Sequence, residues 1–148
     1  MLRSVLAMLA GAVVAGGLAA SAYAQSQPAE KTPQVLLELN KVEQVDNACR
    51  AYLLFENNND TAYTDFRLDL VLFSPDGVIT RRIAVDAAPL RAGRPTVKLF
   101  DLTDLKCDSI QRILVNDVSP CTDGSGARED CVEALGVRSR ADGIEFFQ

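Results

Sequence analysis

The chain contains no histidine and no tryptophan. Without histidine it lacks the side chain that changes charge between pH 5 and 8, and with it the usual general base and the commonest metal ligand. A basic run is missing too. The formal net charge is −5 over 148 residues, which argues against binding nucleic acid or an anionic membrane surface by charge. No Gly-x-Ser-x-Gly, Ser-x-x-Lys or phosphate-cradling loop occurs, so no acyl- or phosphoryl-transfer motif is available to read. None of the four cysteines stands in a Cys-x-x-Cys pair. Zinc wants cysteines two to four apart or histidines beside them, and a redox pair wants the close spacing that lowers a thiol pKa. Internal repeats and low-complexity tracts are also absent.

What is present begins with an export signal. Met1-Leu2-Arg3 leads into an apolar run from Val5 to Ala20, followed by Ala22-Tyr23-Ala24, the small-x-small form cut by signal peptidase. Residues 1–24 are therefore expected to be a general secretory signal peptide cleaved after Ala24. A single arginine and no cysteine after the cut leave no twin-arginine or lipid signal. The exported remainder has 14 basic and 20 acidic residues, a charge of −6. It is expected in the periplasm or outside the cell, without a stable membrane anchor. Residues 25–34, "QSQPAEKTPQ", carry two prolines and little to bury, and read as a flexible N-terminal tether to a domain spanning 35–148.

From Val35 onward, short runs with period-two alternation are separated by turn residues, the pattern of an antiparallel β protein. The expected strands are Val35 to Glu43, Cys49 to Asn57, Phe66 to Ser74, "VITRRIAV", Thr96 to Leu102, Ser109 to Val118, and a seventh within "GVRSRADGIEFF". In the second, Ala51, Leu53 and Phe55 face one way. In the third, Phe66, Leu68, Leu70 and Leu72 do. "SPDG", Ser74 to Gly77, has the composition of a type I turn and predicts a hairpin with the fourth strand. Asp130 to Leu135 is expected to form a short helical turn. Seven strands in about 110 residues indicate an all-β, antiparallel sandwich of the immunoglobulin or fibronectin III kind.

The strand end "FENNN", the alternating strand closed by "FSPDGVI", then "PLRAG" and "VKLFDL", resemble the small exported fibronectin-like domains of bacteria. They are similar also to exported Gram-negative proteins labelled only by their signal sequence. The likeness covers roughly Cys49 to Leu102 and implies a sandwich fold without catalysis.

On a seven-strand sandwich Cys49 opens the second strand and Cys107 lies just before the sixth, while Cys121 and Cys131 bracket the connection after it. In an exported chain this predicts two disulfides, Cys49–Cys107 and Cys121–Cys131. By loop entropy they are worth roughly 4 and 3 kcal/mol. The acidic loop "CTDGSGAREDC" also places Asp123, Ser125, Glu129 and Asp130 at nearly alternating positions, a weak calcium pattern. It departs from an EF-hand, which wants Asp or Asn where Ser125 and Ala127 stand. No metal and no cofactor are therefore expected.

Asp101, Asp104 and Asp108 gather near one rim and are the acids through which a carboxylate-dependent hydrolase could act. Arg81 and Arg82 must face opposite ways on one strand, which marks an edge with both sides partly wet. Such charges guard an edge, or keep it for a partner strand. They are the candidate partner-binding residues, and a partner there should be acidic or neutral. The tail Ile144 to Phe147 either completes the last strand or is left exposed for docking. Together these readings point to an exported, non-enzymatic binding or accessory module acting on a protein of the cell envelope through a loop rim or strand edge. An envelope-assembly subunit and, further off, the hydrolase are the alternatives.

Overall fold

The computed structural model describes residues 32–148. The expected signal peptide and most of the tether lie outside that range. The described chain is all-β, with nine strands in two sheets that face each other across one core. They are β1 (Val35–Val45), β2 (Ala48–Asn57), β3 (Tyr63–Phe73), β4 (Ile79–Asp86), β5 (Pro95–Thr103), β6 (Arg112–Asp123), β7 (Gly126–Ala127), β8 (Leu135–Ser139) and β9 (Glu145–Phe147). The first sheet runs β5-β2-β1-β8. The second runs β4-β3-β6-β7, with β9 also on β6.

The alternation in β2 and β3 works as read. Ala51, Leu53 and Phe55 are buried, and so are Phe66, Leu68, Leu70 and Leu72 across from them. Phe66 stands edge-on to both Phe55, at 6.4 Å, and Tyr63, at 5.1 Å, the arrangement aromatic quadrupoles favour. The Gly77 amide donates to the Ser74 carbonyl at 2.9 Å, closing the β3–β4 turn. Gly77 holds φ at 77°, a conformation that disfavours side chains.

Two parts of the sequence-based fold are corrected. Among the described residues there are nine strands rather than seven, and the sheets are mixed rather than wholly antiparallel, so the seven-stranded antiparallel layout is replaced by a nine-stranded mixed one. The reason lies in the last third. β8 runs parallel to β1, setting buried Leu135 beside buried Val35, and β9 runs parallel to β6. "GVRSRADGIEFF" supplies these two strands for opposite sheets, broken by a turn at Arg140–Gly143. The tail is thereby placed: Ile144 and Phe146 are buried, and Phe147 packs with Phe73 and Arg112.

Smaller shifts follow from local chemistry. The sixth strand begins at Arg112 because Cys107–Ser109 forms a 3-10 turn, and it runs on to Asp123. The expected helical turn is one turn, closed by the Ala134 amide on the Asp130 carbonyl at 3.0 Å. Pro33 and Gln34, read as tether, are fixed to the domain. The Gln34 amide donates to the Ala134 carbonyl, and Pro33 lies over Gly136, where an added Cβ would come within 2.8 Å of its ring.

Both disulfides join the pairs that the strand layout suggests. Cys49–Cys107 ties the start of β2 to the crossover between β5 and β6, and Cys121–Cys131 ties β6 to the turn before β8. None of the described helices is long and apolar enough to cross a membrane. Two disulfides fit an oxidising, exported location.

Candidate functional site

The sandwich has two flanks, and they differ. On one, β8 and β9 meet, and the Gln148 side chain donates to the Leu135 carbonyl at 2.7 Å. On the other stand β4 and β5, the end strands of opposite sheets. Among the described residues, β4 pairs only with β3 and β5 only with β2. Each therefore leaves a row of backbone donors and acceptors without a ladder partner.

Between these edges lies a groove of about 450 Å³. Arg81, Ile83 and Val85 of β4 and Phe100 and Leu102 of β5 line it at period two. Val85 and Leu102 are buried, and the other three are half-buried. The alternate residues, Arg82, Ala84 and Asp86 on β4 and Leu99 and Asp101 on β5, are exposed. Two cations span the gap. Arg81 Nη1 donates to the Thr103 carbonyl at 2.5 Å, and Lys98 Nζ donates to the Ala88 carbonyl at 3.3 Å.

Arg81 and Arg82 thus lie on an edge strand and face opposite ways. Arg82 grips Asp69 on the outer surface through two bonds of 2.7 Å, and Asn116 adds a third at 2.7 Å. The Arg82 bonds, chiefly, hold the Asp69 carboxyl below its ordinary range. Only Arg81 enters the groove. Sequence reasoning missed Lys98, although the signal was present: in "TVKLFDL" it is in phase with Phe100 and Leu102. A charge in an inward row marks an edge strand.

The acidic loop is a small hairpin, β6 turning into β7 at Asp123–Gly126. Its acids do not point at a vacant centre, because Arg128 is already between them. Arg128 donates to Asp123 at 2.8 Å and to Asp130 at 2.7 and 2.8 Å. Asp123 is buried and also accepts the Ser125 amide at 2.7 Å. That amide, first, and Arg128 hold its carboxyl below the ordinary range. Ser125 contributes backbone rather than an oxygen ligand, and Glu129 is exposed. Among the described residues no cluster of three His, Cys, Asp or Glu is placed to hold a metal.

The three rim acids are likewise spoken for or apart from the groove. Asp101 receives Arg50 at 2.6 and 2.9 Å, a fork that lowers its carboxyl pKa. Asp104 accepts from Asn47 at 2.8 Å, and Asp108 lies in the 3-10 turn.

A charged cluster that sequence reasoning did not identify sits on the outer face of the first sheet. Glu38 is only 2% exposed. It accepts from Asn40 at 2.7 Å, Arg138 at 2.5 Å and Arg140 at 2.9 Å. A bulge in β1 between Leu39 and Lys41 leaves Asn40 out of the register with β2, and Arg138 is directly opposite Glu38 on β8. The Asn40 bond foremost, then the two arginines, lower the Glu38 carboxyl to about 2 against the cost of burial.

No family model matches the chain, and no curated protein does. A solved structure described as the structural characterisation of IrmA from Escherichia coli is similar, with a TM-score of 0.55 at 11% identity. The match covers 72% of this chain and 92% of that one. At that identity the likeness concerns the fold alone.

Proposed function

We propose that this protein is an exported, non-enzymatic binding module that takes an extended segment of a cell-envelope protein at the β4–β5 flank. The observation that carries the reading is the pair of unpaired edges on either side of an apolar groove, on the flank that β8 and β9 do not close. An extended segment laid there gains main-chain hydrogen bonds from an edge, and side chains of one phase reach the apolar row. The carboxyls offer less to a hydrolase. Those whose pKa departs from the ordinary range, among them Glu38, Asp69, Asp101 and Asp123, are all lowered, whereas a general acid needs a raised one. The signal sequence and the periplasmic address belong to the same proposal, and two disulfides support it.

Photo-crosslinking in the envelope tests this. A photoreactive residue at exposed Ala84 or exposed Leu99 should trap a partner that excess unmodified protein competes away. The same probe at exposed Glu133, beside β8, should trap none. Trapping at Glu133 equal to that at the edges, or trapping there alone, would refute the reading.

A further inference from the structure

Charge is unevenly paired over this molecule. Among the described residues, Lys41, Arg50, Arg67, Arg82, Arg112, Arg128, Arg138 and Arg140 each have a carboxylate within 4.0 Å. Arg81, Arg91, Arg94, Lys98 and Lys106 have none. Four of those five lie on β4, on β5 or on the connection between them. In a chain of net negative charge, this stretch holds nearly all the positive charge among the described residues that has no carboxylate within 4.0 Å.

The two cations that bridge the flank, Arg81 within the groove and Lys98 on the same inward phase of β5 beyond it, are the informative ones. Arg81 and Lys98 are half-buried, and each gives its charge to a neutral carbonyl, Thr103 or Ala88. Both bonds are already charge-assisted by their ionised donors, but a carboxylate adds the attraction between opposite charges that a neutral carbonyl lacks. An incoming carboxylate therefore improves on the present partner at both ends. The acids lining the groove, Asp86 and Asp101, do not compete, since they are exposed and face Arg67 and Arg50 respectively.

Spacing limits the ligand further. The two bridging bonds lie at Lys98 and at Thr103 on β5, and five residues of strand span roughly 16 Å. A ligand strand turns every second side chain the same way. Acids at positions i and i+4 lie about 13 Å apart, which two long flexible cations can meet. The residue at i+2 then falls over Ile83 and Phe100.

Building on the docking reading above, the geometry points to an acidic occupant. It is an extended peptide segment with the pattern acid–x–apolar–x–acid, whose carboxylates draw Arg81 off the Thr103 carbonyl and Lys98 off the Ala88 carbonyl. Released, those carbonyls join the unpaired edges on which the segment's backbone can form a ladder. The cations thus guard the edges against neutral strands and yield to acidic ones, which is selection through an unfavourable alternative. The apolar row and the bare edges favour a peptide over an anionic sugar or lipid surface, because neither of those supplies strand hydrogen bonds.

The test is to pan displayed random nine-residue peptides on the oxidised protein expressed from the full-length sequence. Enriched peptides are then measured for affinity and for the backbone amides they shift by NMR. Expected is enrichment of acids four apart around an apolar residue, with shifts confined to residues 81–88 and 98–103. Affinity should fall about ten-fold or more in Arg81→Glu/Lys98→Glu, and equally when the peptide acids become amides. Unchanged melting of the variant shows that the fold persists, and Arg81→Gln/Lys98→Gln replaces it if it does not fold. Enriched peptides without acids that shift the same amides would overturn the acidic occupant while leaving flank docking intact. Shifts elsewhere, or no enrichment, would overturn both. Heparin or phosphatidylglycerol vesicles bound as tightly, and lost in the same variant, would make this a general anion surface and overturn the peptide.

Discussion

Replacing Glu38 with glutamine removes a charge from a carboxyl that is 2% exposed yet held by three donors. Its pKa falls from 4.5 to about 2 on folding. Each unit is worth about 1.4 kcal/mol, so the ceiling on the charge's contribution at neutral pH is about 3 kcal/mol. Arg138 and Arg140 are 43% and 66% exposed, and water reaching them screens the pair. About 2 kcal/mol is the working figure. The sign follows from the direction of the shift. A carboxyl depressed in the folded state stabilises fully above its unfolded value, and the stabilisation is lost as pH falls through the folded one. The window is therefore pH 4.5 down to about 2. Urea unfolding of wild type and Glu38→Gln at pH 7, 5, 3 and 2 reads it directly, because other carboxyls titrate in both proteins and cancel in the difference. Wild type should be more stable by about 2 kcal/mol at pH 7, and the gap should close toward pH 2, where protonated glutamate and glutamine are near isosteres. A gap that is the same at pH 2 as at pH 7 would refute the electrostatic reasoning, and no gap at pH 7 would show that the network contributes nothing.

Three further outcomes follow from the fold. Changing Cys49 and Cys107 to serine opens a 58-residue separation, against 10 for Cys121 and Cys131; loop entropy predicts losses of about 4 and about 3 kcal/mol, so denaturant midpoints should fall further for the first pair. Ending the chain at Gly143 removes buried Ile144 and Phe146 and the strand paired to β6; at about 2 kcal/mol or more per large apolar side chain, the melting temperature should drop sharply, whereas a mere docking peptide would leave it unchanged. Gly136→Ala drives a Cβ to 2.8 Å from Pro33, so the amides of residues 34–36 should lose hydrogen-exchange protection while the core keeps its own.

Much of the first sheet and the central hairpin was legible because their signals are local. Alternation in β2 and β3 fixes their faces, and Ser74-Pro75-Asp76-Gly77 fixes a turn, without knowledge of the rest of the chain. The cysteine pairing was legible for a different reason: an approximate strand layout suffices to bring four cysteines into two pairs. What failed depends on partners distant in sequence. Leu135 to Ser139 has too few residues to declare its neighbour, and nothing local says that it lies parallel to Val35 to Leu39, a hundred residues earlier. Glu38 could not be singled out in the sequence for the same reason. Its burial comes from Arg138 and Arg140, brought across by that unforeseen pairing.

The unforeseen pairing also explains why one flank, and not the other, is the candidate site. Had β8 and β9 been a single terminal strand in one sheet, the far side of the other sheet would have been a second bare edge. Dividing the segment gives each sheet a strand there. Gln148 reaches across to the Leu135 carbonyl, and Phe146 fills the core behind. The near flank receives no such treatment. β4 and β5 are joined by residues 87–94 and bridged by Arg81 and Lys98, but no strand among the described residues completes either sheet. A fold that needed only protection there could have used exposed lysines or a bulge, as edges commonly do. Placing both cations in the inward row, each on a carbonyl of the opposing side, gives a closure that a better partner for the charges can undo. Under the proposed docking, the same two side chains that prevent indiscriminate pairing define which strand can pair.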